Sequence, residues 1–225
     1  MPLRRFTSLC AVLFLLFTLS TSRLRAQSTA PSSAQQRPTS TPYAGDLSIF
    51  ESEGRDQRLH IDGVMKALAI TSGKNVADIG AGSGWFTVRA ASKVKTGTVY
   101  AVDINPESIK YIDNRVQKNK LHNVQTILGK PGDPELPPDS VDAVLLLKTY
   151  HEVASPVELM RNLRSSLRPG ARVGIIDRDG NGVNHGVHKD IVLREVGEAG
   201  YRLIEEHDNL VVDDDMNYFL VLQVK

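Results

Sequence analysis

Val76-Ala77-Asp78-Ile79-Gly80-Ala81-Gly82-Ser83-Gly84 is the stretch on which the reading of this chain turns. A short apolar run from Asn75 to Ile79, interrupted by one acid, opens into three glycines at alternate positions. Trp85 to Lys93 then continues with helical spacing. Together these describe a strand that turns directly into a helix. Glycine belongs where the backbone must take angles a side chain forbids and where a ligand touches the main chain itself. The free N–H groups of the helix start behind the turn offer a site for an anion. Alone, the pattern also fits a plain tight turn, so its neighbours decide.

The next segment, Gly97 to Ile104 (GTVYAVDI), is β-branched and bounded by turn residues, and it reads as a second strand. Asp103 at its end follows Gly84 by 19 residues. A carboxylate there can accept hydrogen bonds from both ribose hydroxyls of a bound nucleoside. The dinucleotide fingerprint G-x-G-x-x-G presents its turn to a pyrophosphate. This chain instead has G-x-G-x-G, with Asp78 two residues before the first glycine. An acid in that place repels a phosphate but can fix the amino group of an amino acid. The pattern therefore favours a nucleoside cofactor with an amino-acid end. A nicotinamide-dependent oxidoreductase is the disfavoured alternative.

Along the rest of the chain, strand and helix signals alternate. Arg55 to Ile70 has helical spacing and ends at Thr71-Ser72-Gly73. Asn105-Pro106-Glu107 is a helix start, with a cap, a proline whose missing N–H costs nothing there, and an acid near the positive helix end. Val124 to Leu128 reads as the third strand, and Val141 to Leu147 as a fourth, buried on both faces of a parallel sheet. Ser155-Pro156-Val157-Glu158 has the form of a capping box, opening a helix expected to end at Arg168-Pro169-Gly170. Arg172 to Asp177 is a fifth strand, His188 to Ala199 a helix, and Tyr201 to Glu206 and Tyr218 to Val224 two closing strands. The expected fold class is α/β: a Rossmann-like, seven-stranded, mostly parallel sheet with helices on both faces and an antiparallel strand pair at the C-terminal end.

Composition agrees. The 225 residues are 41% hydrophobic and 24% charged, which excludes wholesale disorder, collagen and a multi-span membrane protein. Cys10 is the only cysteine, so a disulfide framework and a Cys-ligated metal site are excluded. Residues 1–26 hold four arginines (Arg4, Arg5, Arg23, Arg25) and no acid, leaving 23 basic against 26 acidic residues beyond them, a formal charge of −3. A mildly acidic body has no footprint for non-specific nucleic-acid binding. Arg4 and Arg5, the apolar run Leu9 to Leu19 and the small residue Ala26 make residues 1–26 a signal peptide or an uncleaved anchor. Export to a periplasmic or secreted location, or membrane anchoring through this segment alone, follows. An organelle transit peptide fits poorly, because such peptides are amphipathic and this run is uniformly apolar. Residues 27–45, rich in Ser, Thr, Pro, Gln and Ala, are expected to be a disordered linker, and 46–225 the functional domain.

Taken together, the sequence resembles class I S-adenosylmethionine-dependent methyltransferases. The resemblance rests on Val76 to Gly84, on Val102-Asp103-Ile104, and on Leu128-Gly129-Lys130-Pro131. It also rests on Leu147-Lys148-Thr149-Tyr150-His151-Glu152 and on Leu167-Arg168-Pro169-Gly170. It covers about residues 53–225 and is nearest to small-molecule methyltransferases of bacterial type. Glu53-x-Arg55-Asp56 and Thr149-Tyr150-His151 resemble a subgroup of these. The resemblance implies methyl transfer from S-adenosyl-L-methionine to a small-molecule acceptor. In it Asp78, Gly80, Ala81, Gly82 and Gly84 hold the methionine end, Asp103 the ribose and Ile104 the adenine face. Lys130 and Pro131 occupy the place of the adenine-edge contacts. Lys148 joins the cofactor-facing set, although relatives of this type frequently have an acid there. A non-catalytic binding module of the same fold is the alternative, motivated by an export signal on a protein that would use a cytosolic cofactor.

Methyl transfer is an in-line displacement at a carbon already made electrophilic by its sulfonium, so alignment is the enzyme's main task. A base is needed only when the acceptor must lose a proton. His151, after the carboxyl end of the central strand, is the candidate for that role, with Tyr150 shaping the pocket. Asp177 and Arg178 end the fifth strand at the same edge, and the Gly-rich loop after them, carrying His185 and His188, reads as a mobile cover. No pair of these histidines has the i, i+4 spacing of helical zinc ligands, so they read as polar pocket lining and no metal is expected. Trp85 is expected to pack at the cofactor end of the sheet.

Overall fold

The computed structural model describes residues 37–181, 184–207 and 216–225, together with Met1. The rest of the leader, 2–26, and the linker as far as residue 36 lie outside the described residues. Among those described, no helix is long and apolar enough to cross a membrane.

Seven strands form one sheet: β1 (Val76–Ile79), β2 (Val99–Asp103), β3 (Val124–Leu128), β4 (Val141–Leu147), β5 (Leu167–Asp177), β6 (Tyr201–Glu206) and β7 (Tyr218–Val224). Their order is β3-β2-β1-β4-β5-β7-β6. The first five run parallel to one another, and β7 lies antiparallel between β5 and β6. This is the expected Rossmann-like sheet. Because β2 and β3 build outward on one side of β1 while β4 and β5 build on the other, the order reverses between β1 and β4. A crevice opens at the carboxyl ends of those two strands, the place where ligands enter open parallel sheets.

Strand residues alternate between two cores. Val76, Val99, Ala143 and Leu145 face α2 (Ile61–Ala67) and α3 (Trp85–Val94), which supply Val64, Met65, Phe86, Ala90 and Val94. Ala77, Val144, Leu146, Val173 and Ile175 face the opposite way. There they meet Leu159, Met160 and Leu163 of α5 (Pro156–Leu163) and Val192 and Val196 of α6 (Lys189–Glu198). Ile112 of α4 (Pro106–Lys118) closes on Ala101 and Ala81.

Several boundaries differ from the sequence reading. The first helix is two pieces, α1 (Arg55–Arg58) and α2, because His60 between them takes a left-handed conformation with φ 45°. Asn105 caps α4 as expected, accepting from the Glu107 N–H at 3.0 Å. Ser155 makes no side-chain cap for α5; the Glu158 side chain lies instead against Gly132. That helix stops at Leu163, and β5 already begins at Leu167. Pro169 and Gly170 are therefore inside a strand: Leu167 pairs with Val141, the register shifts, and Arg172 pairs with Ala143. The intervening residues bulge outward, which accommodates a proline that cannot donate and a glycine with φ 79°.

The end of the expected linker lies on the body. Arg37 sends Nε to Glu195 Oε1 at 3.0 Å and Nη2 to the Tyr150 carbonyl at 2.8 Å. Ser40 is buried, and its N–H donates to the His151 carbonyl. A short 3-10 helix, Leu47–Glu51, follows and is capped by Asp46. Residues 37–45, expected as disordered spacer, thus form the first part of a strap that this 3-10 helix continues, and they dock through single side chains and main-chain groups rather than a periodic apolar face.

Candidate active site

At the crevice, the chain leaves β1 with Gly80 at φ 72° and enters α3 from Gly84, also at φ 72°. Gly80 sits against Thr149: a Cβ there would lie 2.3 Å from the threonine Cγ2. The loop is thus built so that the ends of β1 and β4 nearly touch.

Asp103 points into this hollow. Its Oδ2 accepts from the Gly82 N–H at 2.8 Å, and its Oδ1 accepts from the Asn105 N–H at 2.9 Å. Each carboxylate oxygen retains a lone pair for a ligand hydroxyl. Asp78 lies deeper, buried, and accepts from the Thr87 hydroxyl at 2.6 Å. Burial pushes its carboxyl up to about 7, with the nearby Asp103 charge adding to the rise.

A cavity of about 730 Å³ surrounds these groups. That lies within the roughly 300–1,000 Å³ range of small-molecule sites. Asp78, Gly80, Ala81, Gly82, Asp103, Ile104, Lys130, Pro131, Lys148 and His151 all line it. Gly84 does not, and its role is in packing, since a Cβ there would come within 3.1 Å of Ile112. Ile104 is half exposed, offering an apolar platform beside the ribose acid. Lys130 extends its ammonium to Glu135 at 2.5 Å, so its main chain and the ring of Pro131 form that wall.

Tyr150 departs from expectation. Its ring is fully buried in the core below the sheet edge and does not line the cavity. The 3-10 turn Tyr150–Glu152 sends it inward, under the Arg37 guanidinium, and burial pushes its phenol far above the ordinary range. The same turn sends His151 to the cavity. His151 Nδ1 lies 2.7 Å from Asp177 Oδ1, and its backbone N–H donates to Asp177 Oδ2 at 3.0 Å. Asp177, fully buried at the end of β5, thereby fixes the imidazole with Nε2 turned toward Glu152. Burial pushes Glu152 up to about 7.

His185 lines the cavity as well; its N–H donates to Ser40 Oγ at 2.8 Å. His188 does not: it caps α6 with its ring nitrogen. Of the Gly-rich loop read as a cover, Gly182 and Val183 lie outside the described residues. Trp85 does sit at this end of the sheet, with the guanidinium groups of Arg55 and Arg89 at 4.4 and 4.1 Å from its ring centroid. Arg55 also donates to the Phe50 carbonyl at 2.7 Å, and Asp56 holds Arg89 at 2.7 Å.

Sequence reasoning missed the outer wall. Pro42, Tyr43, Leu47 and Phe50 line the cavity from the strap. Glu51 accepts from the Ser83 hydroxyl at 2.6 Å and pairs with Arg115, tying the strap's 3-10 helix to the glycine loop. The one sequence signal was the apolar pair Leu47 and Phe50 at helical spacing, three residues apart.

The arrangement fits a nucleoside with a cationic amino-acid end: a hydroxyl-binding acid, an apolar platform, bare main chain and a buried carboxyl. Residues 70–206 match the family described as "Methyltransferase domain". The chain is 31% identical over 136 residues to arsenite methyltransferase of Halobacterium salinarum, covering 60% of this chain and 35% of that protein. It is 26% identical over 114 residues to demethylmenaquinone methyltransferase of Listeria welshimeri, covering 50% of this chain and 48% of that one. It therefore spans half or less of the length of these curated relatives. Among solved structures it is similar to a SAM dependent methyltransferase from Aquifex aeolicus, with a TM-score of 0.71 at 22% identity, covering 81% of this chain and all of that one.

Proposed function

From the premise that this chain belongs to the methyltransferase-domain family of class I S-adenosylmethionine-dependent enzymes, we propose that it transfers a methyl group from S-adenosyl-L-methionine to a small-molecule acceptor. The observation that carries the reading is the Asp103 carboxylate, held by two backbone N–H groups, one of them in the glycine loop, and lining the hollow beside that loop.

Asp103 accepts the ribose hydroxyls, Ile104 and Pro131 flank the base, and the main chain from Gly80 to Gly82 lies along the amino-acid end. Asp78 balances the ammonium. When bound, S-adenosylmethionine supplies a methyl carbon activated by its sulfonium. The strap residues Tyr43, Leu47 and Phe50 keep water from the hollow, which strengthens the electrostatic contacts inside it. His151, fixed by Asp177, lines the same hollow, where it orients the acceptor and can receive its proton. Tyr150 positions this turn from below and touches neither partner.

Calorimetric titration of the purified protein with S-adenosylmethionine tests the reading: saturable binding is expected, and its absence removes the proposal. Incubation with a metabolite extract should yield S-adenosylhomocysteine. A protein that binds without yielding it is a binding module instead. Residues 1–26 would direct export or anchor the chain, which cell fractionation with N-terminal sequencing of the native protein decides.

A further inference from the structure

The acceptor end of the cavity gathers three side chains into one cluster. His151, Glu152 and His185 each present a ligand atom, and the three atoms all lie within 4.8 Å of one another. Glu152 Oε1 stands 3.7 Å from His151 Nε2 and 3.8 Å from His185 Nδ1, beyond hydrogen-bonding range in both cases. The two imidazole rings meet edge to face with centroids 5.8 Å apart. All three residues line the cavity.

We propose that His151 Nε2, His185 Nδ1 and a carboxylate oxygen of Glu152 form a binding site for one divalent transition-metal ion. Two imidazoles and a carboxylate are the donor set that suits zinc and its first-row neighbours. Bonds of about 2.0–2.2 Å place neighbouring ligand atoms about 3.3 Å apart around a tetrahedral ion. The two Glu152 separations therefore close by a few tenths of an ångström, within reach of a carboxylate rotation. The His185 side chain is 61% exposed, so its ring has room to swing inward.

The surroundings of His151 are those of a ligand. A metal-bound imidazole characteristically gives its other ring nitrogen to a carboxylate, which fixes the tautomer and raises the ligand's basicity. Asp177 does this at 2.7 Å from Nδ1. It is itself immobilised, fully buried and accepting from the backbone N–H groups of His151 and Arg178. His185 is held by Ser40 in a left-handed conformation with φ 57°, a strain that non-glycine residues adopt where the surroundings impose it. The ligands come from two loops, 33 residues apart in sequence, which is why no helical spacing announced them.

An ion with three protein ligands keeps a position for a ligand from the cavity. Resting on the methyl-transfer reading, the acceptor class this selects is one with an ionisable hydroxyl. With Nε2 on the ion and Nδ1 on Asp177, His151 acts here as a ligand and no longer as the base; the hydroxyl proton passes to solvent, the oxygen forms the new bond to the methyl carbon, and the carbon–sulfur bond breaks with its electron pair retained on sulfur.

The test uses purified protein stripped with a chelator and dialysed. It is titrated with Co²⁺, whose d–d absorption reports coordination, and with Zn²⁺ by calorimetry. One equivalent per chain is expected, with the strong visible bands of a four- or five-coordinate ion. His185→Ala, at an exposed ring, and the isosteric Glu152→Gln should each abolish the bands while circular dichroism is unchanged. Asp177→Asn, at a positioning residue, should weaken metal binding about 10- to 100-fold. No stoichiometric cobalt binding by the parent protein, or parent-like binding by His185→Ala, overturns the site. S-Adenosylmethionine titrated into the same samples separates the two proposals: binding it without Co²⁺ rejects the metal site alone. Binding Co²⁺ without it leaves the site standing and rejects methyl transfer.

Discussion

Asp103 reaches back from the end of β2 to the glycine loop, its Oδ2 accepting the Gly82 N–H at 2.8 Å. One carboxylate thus sets the loop's shape and supplies the hydrogen-bond acceptor for a ligand. Asp103→Ala removes both. With charge-assisted hydrogen bonds contributing about 1.5–3 kcal/mol each, S-adenosylmethionine affinity should fall about a hundredfold or more. Asp103→Asn, which keeps one acceptor oxygen, should fall less. Calorimetry measures both, and an alanine variant that binds like the parent contradicts the ribose assignment.

Gly80 and Thr149 make a second, steric coupling across the crevice. Gly80→Ala places a Cβ 2.3 Å from the Thr149 side chain at a φ of 72°. The backbone strain alone costs about 1–3 kcal/mol, and the overlap adds to it. Gly80→Ala/Thr149→Ala should recover the part of the overlap due to the threonine Cγ2 and Oγ1, while its Cβ stays 2.9 Å away, giving an interaction energy above about 0.5 kcal/mol in a double-mutant cycle of urea unfolding. Additive behaviour would mean that the two residues do not meet.

The buried carboxyl of Asp78 makes ligand binding depend on pH. Its folded pKa of about 7 stands above the ordinary 3.8. The folded chain therefore holds this proton more tightly than the unfolded one, and the group's contribution to stability falls as pH rises from about 4 to about 7. A ligand ammonium favours the ionised form, so S-adenosylmethionine should bind about tenfold more tightly at pH 8 than at pH 6. Asp78→Asn should flatten that profile and unfold at a higher temperature than the parent at pH 8. A variant with the parental pH profile assigns the dependence elsewhere.

Arg37 and Glu195 form a pair whose side chains are 8% and 10% exposed. Removing one partner of such a pair costs about 3–5 kcal/mol, because the other charge is left buried. Arg37→Ala should lower stability by that order, and Arg37→Ala/Glu195→Gln should recover much of it. Because the strap also walls the cavity, the single variant should release S-adenosylmethionine faster in stopped-flow displacement. An unchanged release rate would show that the wall does not depend on this anchor.

The sheet and its ligand crevice were legible because each rests on a local signal. Continuous apolar runs such as residues 143–147 mark buried parallel strands, and Asp78, the glycines and Asp103 fall at strand ends where the chain itself fixes their direction. Elements that depend on distant partners were not legible. Pro169-Gly170 signals a turn, yet pairing of Leu167 with Val141 draws it into β5 as a bulge. Tyr150 and His151 are adjacent candidates, and only the 3-10 turn decides that one is core and the other faces the cavity. The strap reads as spacer because its hold comes from Arg37 and Ser40 singly, with no repeating apolar face to announce it.

Trp85 is the only tryptophan in the chain, and it stands on the wall of the hollow between two guanidinium groups. Its emission comes from a single known place, unmixed with any other indole. The molecule thus carries its own optical gauge: whatever enters beside the glycine loop perturbs that one fluorophore, and occupancy can be followed in real time without a label.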